Sequence, residues 1–153
     1  MKIWITSDTH FFHKNIIKYC GRPFKNYKEM NEKLISNWNA KVAKEDLVIH
    51  LGDFSFGNKE KIMAIRKRLN GTIILIRGSH DHKIVKGMGF IIVNGNLQIG
   101  KHIFSHEPLE NIPKGLVNIH GHIHQRESYL GKNVSVEKTN YGPVELNLIL
   151  GEK

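Results

Sequence analysis

The sequence contains a single cysteine and no long apolar run. Cys20 has no partner for a disulfide within the chain, and the first residues carry neither the apolar core nor the cleavage pattern of a secretory signal. We therefore expect a reducing, cytoplasmic setting. Because no apolar stretch approaches the roughly 20 residues that a membrane-spanning helix needs, we expect no membrane partner.

The chain also lacks internal repeats, low-complexity tracts and stretches with the composition of a linker. Its 153 residues, of which 40% are hydrophobic, are enough for one well-buried core but hardly for two. The sequence therefore predicts a single domain over residues 1–153.

Acidic residues are scarce relative to basic ones. There are 14 Asp and Glu residues against 23 Lys and Arg residues, which gives a formal net charge of +9. This excess suits a protein that meets anionic ligands such as phosphate esters or nucleic acid, although a solvated lysine-rich surface explains it equally well. Charge alone therefore does not choose between a small phosphorylated substrate and a polynucleotide.

The first half of the chain alternates strand and helix patterns. Short apolar, β-branched runs over residues 2–7, 46–51 and 72–76 predict buried strands. Apolar residues at helical spacing predict an amphipathic helix over residues 27–42, and the charged stretch 59–69 predicts a second helix. The order of these elements is βαβαβ.

The second half of the chain is mostly strand in character. The runs 90–93, 97–99 and 102–104 are separated by Asn-Gly and Gly-Lys turns, which favour hairpins. Residues 116–120 predict a further strand, and the alternating tail 144–150 predicts a closing strand. We therefore expect an α/β fold whose sheet has two packed layers.

Polar residues directly follow the predicted strands. These residues are Asp8, His10, Asp53, His80, Asp81, His106, His122 and His124. One histidine after a strand is usually structural, but ligands in open α/β sheets gather at the carboxyl ends of strands. Five such placements in register therefore predict that the side chains converge on a metal site.

The spacing within two of these segments suits a shared site. The members of Asp8-Thr-His10 and of His122-Ile-His124 are two apart, so both side chains of a pair project to one side if the backbone is extended. Glycines at 52, 78 and 121 precede the polar residues and allow sharp turns or close backbone approach.

The polar segments resemble the ordered signature blocks of calcineurin-like metallophosphoesterases. The matching blocks are Asp8-Thr-His10, Gly52-Asp53, Gly78-Ser-His-Asp81, Ser105-His106 and Gly121-His-Ile-His124. The segment 8–17 together with Arg22-Pro-Phe24 is similar to small bacterial and phage-type members. The resemblance implies a β-sandwich of two mixed sheets flanked by helices. It also implies hydrolysis of a phosphodiester or phosphomonoester by a hydroxide that bridges two metal ions.

The resemblance also assigns roles to individual residues. It implies that Asp53 bridges the two ions, with one ion held by Asp8, His10 and His124 and the other by His106 and His122. His80 would stabilise the transition state or protonate the departing oxygen, and Asp81 would orient the imidazole of His80.

The chain departs from the family pattern at Ser79, where an asparagine usually binds the second ion. A serine hydroxyl is shorter than an asparagine carboxamide and is normally a poor ligand for these metals. We therefore expect a water to fill the gap, or the second ion to bind more loosely.

A mixed imidazole and carboxylate donor set favours transition metals over Mg²⁺ or Ca²⁺, which prefer shells of oxygen. We expect Mn²⁺ first, with Fe, Zn²⁺, Co²⁺ or Ni²⁺ as alternatives.

Three further residues are candidates for substrate binding. His13 follows the first block closely enough to reach a substrate, although it could instead cap a helix or be exposed at a helix start. The guanidinium forks of Arg22 and Arg77 match phosphoryl oxygens, although most arginines near loops are solvated.

The other histidines are expected to lie outside the site. His50 and His120 fall inside strand-like runs, which predicts core positions. His82 and His102 are expected to be exposed.

Three functions remain open at this point. The leading hypothesis is hydrolysis of a small phosphate ester, nucleotides and cyclic nucleotides included, because so short a chain has little room for capping domains. The second is a nuclease with the same metal chemistry, favoured by the charge but weakened by the lack of an aromatic-interleaved basic stripe. The third is a metal-poor, non-catalytic scaffold, which Ser79 keeps open and His80 argues against.

Overall fold

The computed structural model describes residues 1–151, which form two sheets and four helices. The strands are β1 (Ile3–Thr6), β2 (Leu47–His50), β3 (Thr72–Ile76), β4 (Phe90–Val93), β5 (Leu97–Ile99), β6 (His102–Phe104), β7 (Val117–His120), β8 (Lys132–Asn133) and β9 (Val144–Glu145). The helices are α1 (Ile16–Tyr19), α2 (Tyr27–Asn39), α3 (Lys59–Arg68) and α4 (Leu146–Leu150). That residues 1–153 form one domain stays a prediction, and its last two residues lie outside the described part.

Both sheets contain parallel and antiparallel pairs. The five-stranded sheet has the order β4-β3-β2-β1-β9, in which only β9 runs antiparallel to its neighbour. The four-stranded sheet has the order β5-β6-β7-β8, in which β5 is antiparallel to β6. The predicted α/β class with two mixed sheets flanked by helices is confirmed.

Alternating side chains on the central strands join the layers. Trp4 and Val48 pack in the cluster that contains the buried residues of α2 and α3, whereas Ile5 and Ile49 pack in the cluster that contains Phe104 of the second sheet. The two-residue period of a strand explains this division, because successive side chains point to opposite faces. The five-stranded sheet therefore lies between the two long helices and the four-stranded sheet.

The two longer helices begin at asparagine caps. The side chain of Asn26 accepts hydrogen bonds from the backbone N–H groups of Lys28 and Glu29, and Asn58 accepts one from Lys61. These bonds satisfy N–H groups that have no partner within the helix. Both predicted helices are confirmed, although α2 ends at Asn39, three residues before the predicted end.

Two expectations for the second half of the chain are wrong. Asn94 and Gly95 do not close a hairpin, because β4 pairs in parallel with β3 and the chain then crosses to the other sheet. Only β5 and β6 form the predicted hairpin.

The predicted closing strand over residues 144–150 is also mostly wrong. Only Val144 and Glu145 pair as β9, and α4 follows. Leu146, Ile149 and Leu150 pack against the core while Leu148 is 76% exposed, which is a helical spacing within a run that also alternates. No helix within residues 1–151 is long and apolar enough to cross a membrane.

Candidate metal centre

Three groups of potential metal ligands lie within residues 1–151, and one of them consists of Cys20, His124 and Glu137. The other two contain residues that follow strands of both sheets, and they are called the two ligand groups below. Within each group, one ligand atom of every residue lies within 4.8 Å of the others. The two ligand groups consist of Asp8, His10 and His124, and of Asp53, His106 and His122. The structure thus brings together all six residues that the sequence predicted as ligands.

The two groups meet at the carboxylate of Asp53. Its Oδ2 lies 3.4 Å from Nε2 of His106 and 3.6 Å from Nε2 of His10, so it faces a histidine of each group. Oδ1 of Asp8 lies 3.7 Å from the same Nε2 of His10 and 4.0 Å from Nε2 of His124. These separations exceed normal hydrogen bonds, and they leave room for a cation between the donor atoms.

Each carboxylate is held by the oxygen that does not face the imidazoles. Oδ2 of Asp8 accepts the backbone N–H of His122 at 2.8 Å, and Oδ1 of Asp53 accepts the backbone N–H of His80 at 2.9 Å. The hydroxyl of Ser135 also lies 3.1 Å from Oδ2 of Asp8. One oxygen of each aspartate is therefore anchored, and the other remains directed at the ligand group.

Five of the six candidate ligands have left-handed backbone. The φ angles are +58° at Asp8, +50° at His10, +55° at Asp53, +68° at His122 and +53° at His124. The two short segments therefore lack the extended backbone that would direct both side chains of a pair to one side, although Asp8 and His10 still face each other. Such conformations cost about 1–3 kcal/mol each and cluster at functional sites, and Asp and His tolerate them better than most residues.

The predicted close backbone approach at the glycines is present. A Cβ on Gly121 would lie 2.0 Å from the hydroxyl of Ser7 and 2.3 Å from Oδ2 of Asp8. A Cβ on Gly78 would lie 2.3 Å from Oδ1 of Asp53. Side chains at these positions would push the two aspartates out of place.

A backbone contact orients the imidazole of His106 in the second group. Nδ1 of His106 lies 2.7 Å from the carbonyl oxygen of Leu51, so this nitrogen carries the hydrogen and Nε2 is turned towards Asp53. Nδ1 of His122 lies 3.2 Å from that Nε2. Two ring nitrogens that face each other need a proton or a cation between them.

The first group contains buried polar atoms that a cation would satisfy. Within the described part of the chain, Oδ1 of Asp8 and both ring nitrogens of His10 are buried without a hydrogen-bond partner. Leaving such atoms unpaired costs about 1–3 kcal/mol each, and native proteins usually avoid it. A divalent cation bound to Oδ1 and Nε2 would remove most of this cost, so the residues present fit a metal ion.

The local charges favour cations at the site. Burial opposes the charge on Asp8, but the nearby His10 and His106 outweigh it and hold the pKa of Asp8 below its ordinary value. Burial likewise opposes protonation of His106, but its contact with Asp53 and the charge of Asp8 raise its pKa to about 9. Protons and metal ions therefore compete for the same nitrogen.

The sequence matches a known family over almost its whole length. The model of that family, described as calcineurin-like phosphoesterase, matches residues 1–150. The chain belongs to the calcineurin-like phosphoesterase family. The resemblance carried by the five short sequence blocks is therefore confirmed.

The chain also resembles individual proteins. An uncharacterised protein of Methanocaldococcus jannaschii is 41% identical over 162 aligned residues, which cover 97% of this chain and 89% of that protein. The crystal structure of a protein of unknown function from Aquifex aeolicus has a TM-score of 0.76, with 28% identity and 98% coverage of each chain. That of Pseudomonas putida nuclease MPE has a TM-score of 0.55 with 22% identity, over 80% of this chain and 61% of the nuclease, which is a likeness of fold alone.

In this chain, His80 stands at the open side of the ligand groups. Its side chain is 46% exposed, and its Nε2 lies 3.9 Å from Oδ2 of Asp53. Its backbone N–H is bound to the same carboxylate. His80 can therefore reach a substrate bound at the ligand groups.

The expectation that Asp81 orients His80 is wrong. The carboxylate of Asp81 is fully buried and accepts backbone N–H groups at 2.8 Å from Asp53, Phe54 and Gly78. Burial raises the pKa of Asp81 in spite of these donors. Asp81 therefore holds the loop that carries Asp53 and does not act on the imidazole.

Ser79 and Arg77 line an open cleft of about 400 Å³ beside His106. Ser79 is exposed, so its hydroxyl is accessible from the cleft. Arg77 donates hydrogen bonds from Nη1 to the carbonyl of Asp81 and from Nη2 to that of Ile84. Its guanidinium thus braces the loop after β3 as well as bordering the cleft.

Arg22, predicted to bind substrate, has no access to it. Its side chain is fully buried and donates to the backbone carbonyls of Asp8 and Thr9. It also forms an ion pair with Glu137 at 2.8 Å. The prediction is wrong because all three nitrogens of the guanidinium contact protein atoms.

An aromatic strip borders the open side of the centre. The ring of His13 lies 3.8 Å from the ring of Phe56, centroid to centroid, and Phe56 lies 4.5 Å from the ring of His80. Tyr19 follows at 6.3 Å from His13. Phe56 is 39% exposed and Tyr19 is 69% exposed, so the strip of Tyr19, His13, Phe56 and His80 presents aromatic surface to solvent.

Three of the four remaining histidines lie where the sequence predicted. His50 and His120 are fully buried, and His82 is exposed. His102 is 6% exposed and not exposed as predicted, because it pairs with Ile99 on one side and with Val117 on the other.

Two residues beside the centre were missed by the sequence reasoning. Oε1 of Glu137 lies 3.1 Å from Nδ1 of His124, and Ser135 contacts Asp8. Both belong to the stretch after β8, which carries no signature block, so no signal in the sequence pointed to them.

Proposed function

We propose that the chain hydrolyses phosphate esters with two divalent cations bound at the two ligand groups. The observation that supports this most is the position of Asp53, whose Oδ2 faces His10 of one group and His106 of the other. A carboxylate in this position can bridge two ions.

The proposed ligand sets follow from the two groups. Asp8, His10 and His124 would hold the first ion, His106 and His122 would hold the second, and Asp53 would contribute to both. Mixed nitrogen and oxygen donors suit Mn²⁺ first and Fe, Zn²⁺, Co²⁺ or Ni²⁺ as alternatives. When bound, two such ions lower the pKa of a water and neutralise the phosphoryl oxygens.

The chain's own residues then supply positioning and a proton. Asp81 accepts the backbone N–H of Asp53, and the lack of a side chain at Gly78 leaves room for the carboxylate of Asp53. The exposed imidazole of His80 lies close enough to Asp53 to meet the departing oxygen. As the water oxygen bonds to phosphorus and the ester bond breaks, His80 donates a proton to the leaving oxygen.

The aromatic strip supports a nucleotide as the substrate. Bases stack on aromatic rings, and such stacking is worth about 1–3 kcal/mol per base. Phe56 offers a half-exposed ring whose centroid lies 4.5 Å from that of His80, so a base attached to a phosphate bound beside His80 could stack on it. We therefore propose a small nucleotide phosphoester, cyclic nucleotides included, with His13 and Arg77 at the edge of the site.

A nuclease activity at the same centre is the alternative. The formal charge of +9 and the open site suit a polynucleotide, and the fold resembles that of Pseudomonas putida nuclease MPE. A steep loss of polynucleotide binding with salt would support this alternative.

A non-catalytic, metal-poor scaffold is the third hypothesis, and it rests on Ser79. The serine gives the second ion one ligand fewer than the family pattern, while the accessible His80 argues for retained chemistry.

One experiment separates these functions. The metal content of the purified protein is measured, and the Mn²⁺-loaded protein is assayed against bis-p-nitrophenyl phosphate, p-nitrophenyl phosphate, cyclic nucleotides and single-stranded DNA. Asp53→Asn serves as the inactive control, and Glu127→Gln, at a side chain that is 81% exposed, serves as the matched neutral control. If Asp53→Asn is as active as the parent, the catalytic proposal fails.

A further inference from the structure

We propose that Arg22 and Glu137 form a positioning pair that fixes the imidazole of His124 for metal binding. The inference rests on the proposed metal centre and concerns residues that lie behind it. Neither residue belongs to the two ligand groups that meet at Asp53, although Glu137 forms a third group with Cys20 and His124. Both side chains are buried and do not reach the substrate side.

The contact between Glu137 and His124 defines the hydrogen on the ring. The side chain of Glu137 is 3% exposed, and its Oε1 lies 3.1 Å from Nδ1 of His124. An ionised carboxylate only accepts hydrogen bonds, so Nδ1 carries the hydrogen. Nε2, which faces Oδ1 of Asp8, is then the nitrogen that has a free electron pair for a cation.

Arg22 contacts the same oxygen of Glu137 as His124 does. Its Nε and Nη2 lie 2.9 and 2.8 Å from the same Oε1. A carboxylate removed from water is costly unless it is paired, and arginine stays charged at any ordinary pH. Arg22 therefore keeps Glu137 in the form that accepts the imidazole hydrogen.

The same guanidinium also holds the backbone of the first ligand segment. Nη2 donates to the carbonyl of Asp8 at 2.7 Å, and Nη1 donates to the carbonyl of Thr9 at 3.0 Å. Asp8 and His10 have left-handed backbone that needs support from its surroundings. One buried guanidinium thus connects Asp8 and, through Glu137, His124, which belong to the same ligand group but are far apart in sequence.

The pair also contributes to the fold, so the test must separate positioning from stability. Glu137→Gln keeps the size of the side chain and removes its charge, and Glu137→Leu also removes the acceptor. Glu127→Gln is the control, because Glu127 is exposed and contacts only Lys138 among the described ion pairs. Metal dissociation constants are measured by titrating Mn²⁺ and Zn²⁺ into the metal-free proteins, next to the thermal unfolding of each metal-free protein.

We expect Glu137→Gln to weaken binding of one cation by about 10- to 100-fold, as outer partners of metal-binding histidines generally do. Glu137→Leu should weaken it further, and Glu127→Gln should leave both dissociation constants unchanged. A folded Glu137→Gln protein that binds both ions as tightly as the parent overturns the inference. If the parent binds no metal at all, the proposed function fails as well, so the two failures are distinguishable.

A second measurement needs no variant. Nitrogen-15 NMR of the histidine rings in the Zn²⁺-loaded parent should show hydrogen on Nδ1 of His124 and metal on Nε2. Metal on Nδ1, or hydrogen on Nε2, overturns the inference even if the Glu137 variants do not fold.

Discussion

Oδ2 of Asp53 lies 3.6 Å from Nε2 of His10, across the boundary between the two ligand groups. Asp53 follows β2 and His10 follows β1, and these strands pair in parallel, so their carboxyl ends lie side by side. The contact is thus a direct result of the sheet topology. The contact also joins the two ligand groups, because Asp53 belongs to one group and His10 to the other.

Ser79→Asn should tighten binding of the second cation and raise turnover. The longer carboxamide supplies the oxygen ligand that the family pattern places here and that a serine hydroxyl supplies poorly. Ser79→Ala should behave like the parent, because the hydroxyl contributes little. Metal titration and kcat of the three proteins check this, and equal metal content and rate in Ser79→Asn and the parent would contradict it.

Asp81→Asn should lower both stability and metal affinity. Its carboxylate accepts three backbone N–H groups while fully buried, and an amide nitrogen would face at least one of these donors. We expect a loss of about 1–3 kcal/mol in the free energy of unfolding, measured in urea without metal. Unchanged stability, combined with an altered pH profile of kcat, would instead support a direct action on His80.

His50 should make the metal-free protein sensitive to acid. Burial lowers the pKa of His50 to about 3, and its Nδ1 accepts the backbone N–H of Gly52, which requires the neutral ring. In the unfolded chain the imidazole of His50 is protonated as the pH falls below about 6.5, whereas in the folded protein it stays neutral down to about pH 3. The stability from the neutral ring is therefore complete above about pH 6.5 and is lost as the pH falls towards 3, by at most about 1.4 kcal/mol per pH unit.

His50→Gln checks this dependence. The variant loses the hydrogen bonds of the ring at neutral pH, but it carries no titrating group at this position. The difference in unfolding free energy between parent and variant should shrink as the pH falls from 7 to 5. A constant difference over that range would show that His50 does not titrate on unfolding.

Phe56→Ala should weaken the binding of nucleotide substrates selectively. Loss of a stacking ring costs about 1–3 kcal/mol, or roughly 5- to 150-fold in KM where KM reflects binding. Substrates without an aromatic group should be affected much less. Met63→Ala is the matched control, since Met63 is also 39% exposed but lies on α3. A similar change in KM for both kinds of substrate would argue against a base on the strip.

Much of the fold could be predicted because local patterns and tertiary structure agree. The strands β1, β2 and β3 are short apolar runs, and each ends where a polar block begins. The strand predicted after residue 144 was wrong because the apolar positions there fit both the two-residue period of a strand and the 3.6-residue period of a helix. Packing against the core favours the helix α4. The partner of β4 depended on a crossover between sheets that no turn sequence reveals.

The ligand candidates could be predicted because their residue types and their position after strands are visible in the sequence. The backbone conformation of Asp8 and His10 could not be predicted, because left-handed backbone at such residues has no sequence pattern. Arg22 was wrongly predicted to bind substrate because a guanidinium can pair either with a phosphate or with a carboxylate such as that of Glu137. Its partner follows 115 positions later, and only the folded chain brings them together.

Anomalous diffraction from a crystal of the protein loaded with Mn²⁺ tests the central claim most directly. The account predicts two peaks separated by about 3.5–4 Å, both in contact with the carboxylate of Asp53, with Asp8, His10 and His124 around one peak. A Mn²⁺-loaded crystal in which Asp53 contacts no ion, or in which His124 lies outside the coordination of either ion, would contradict it.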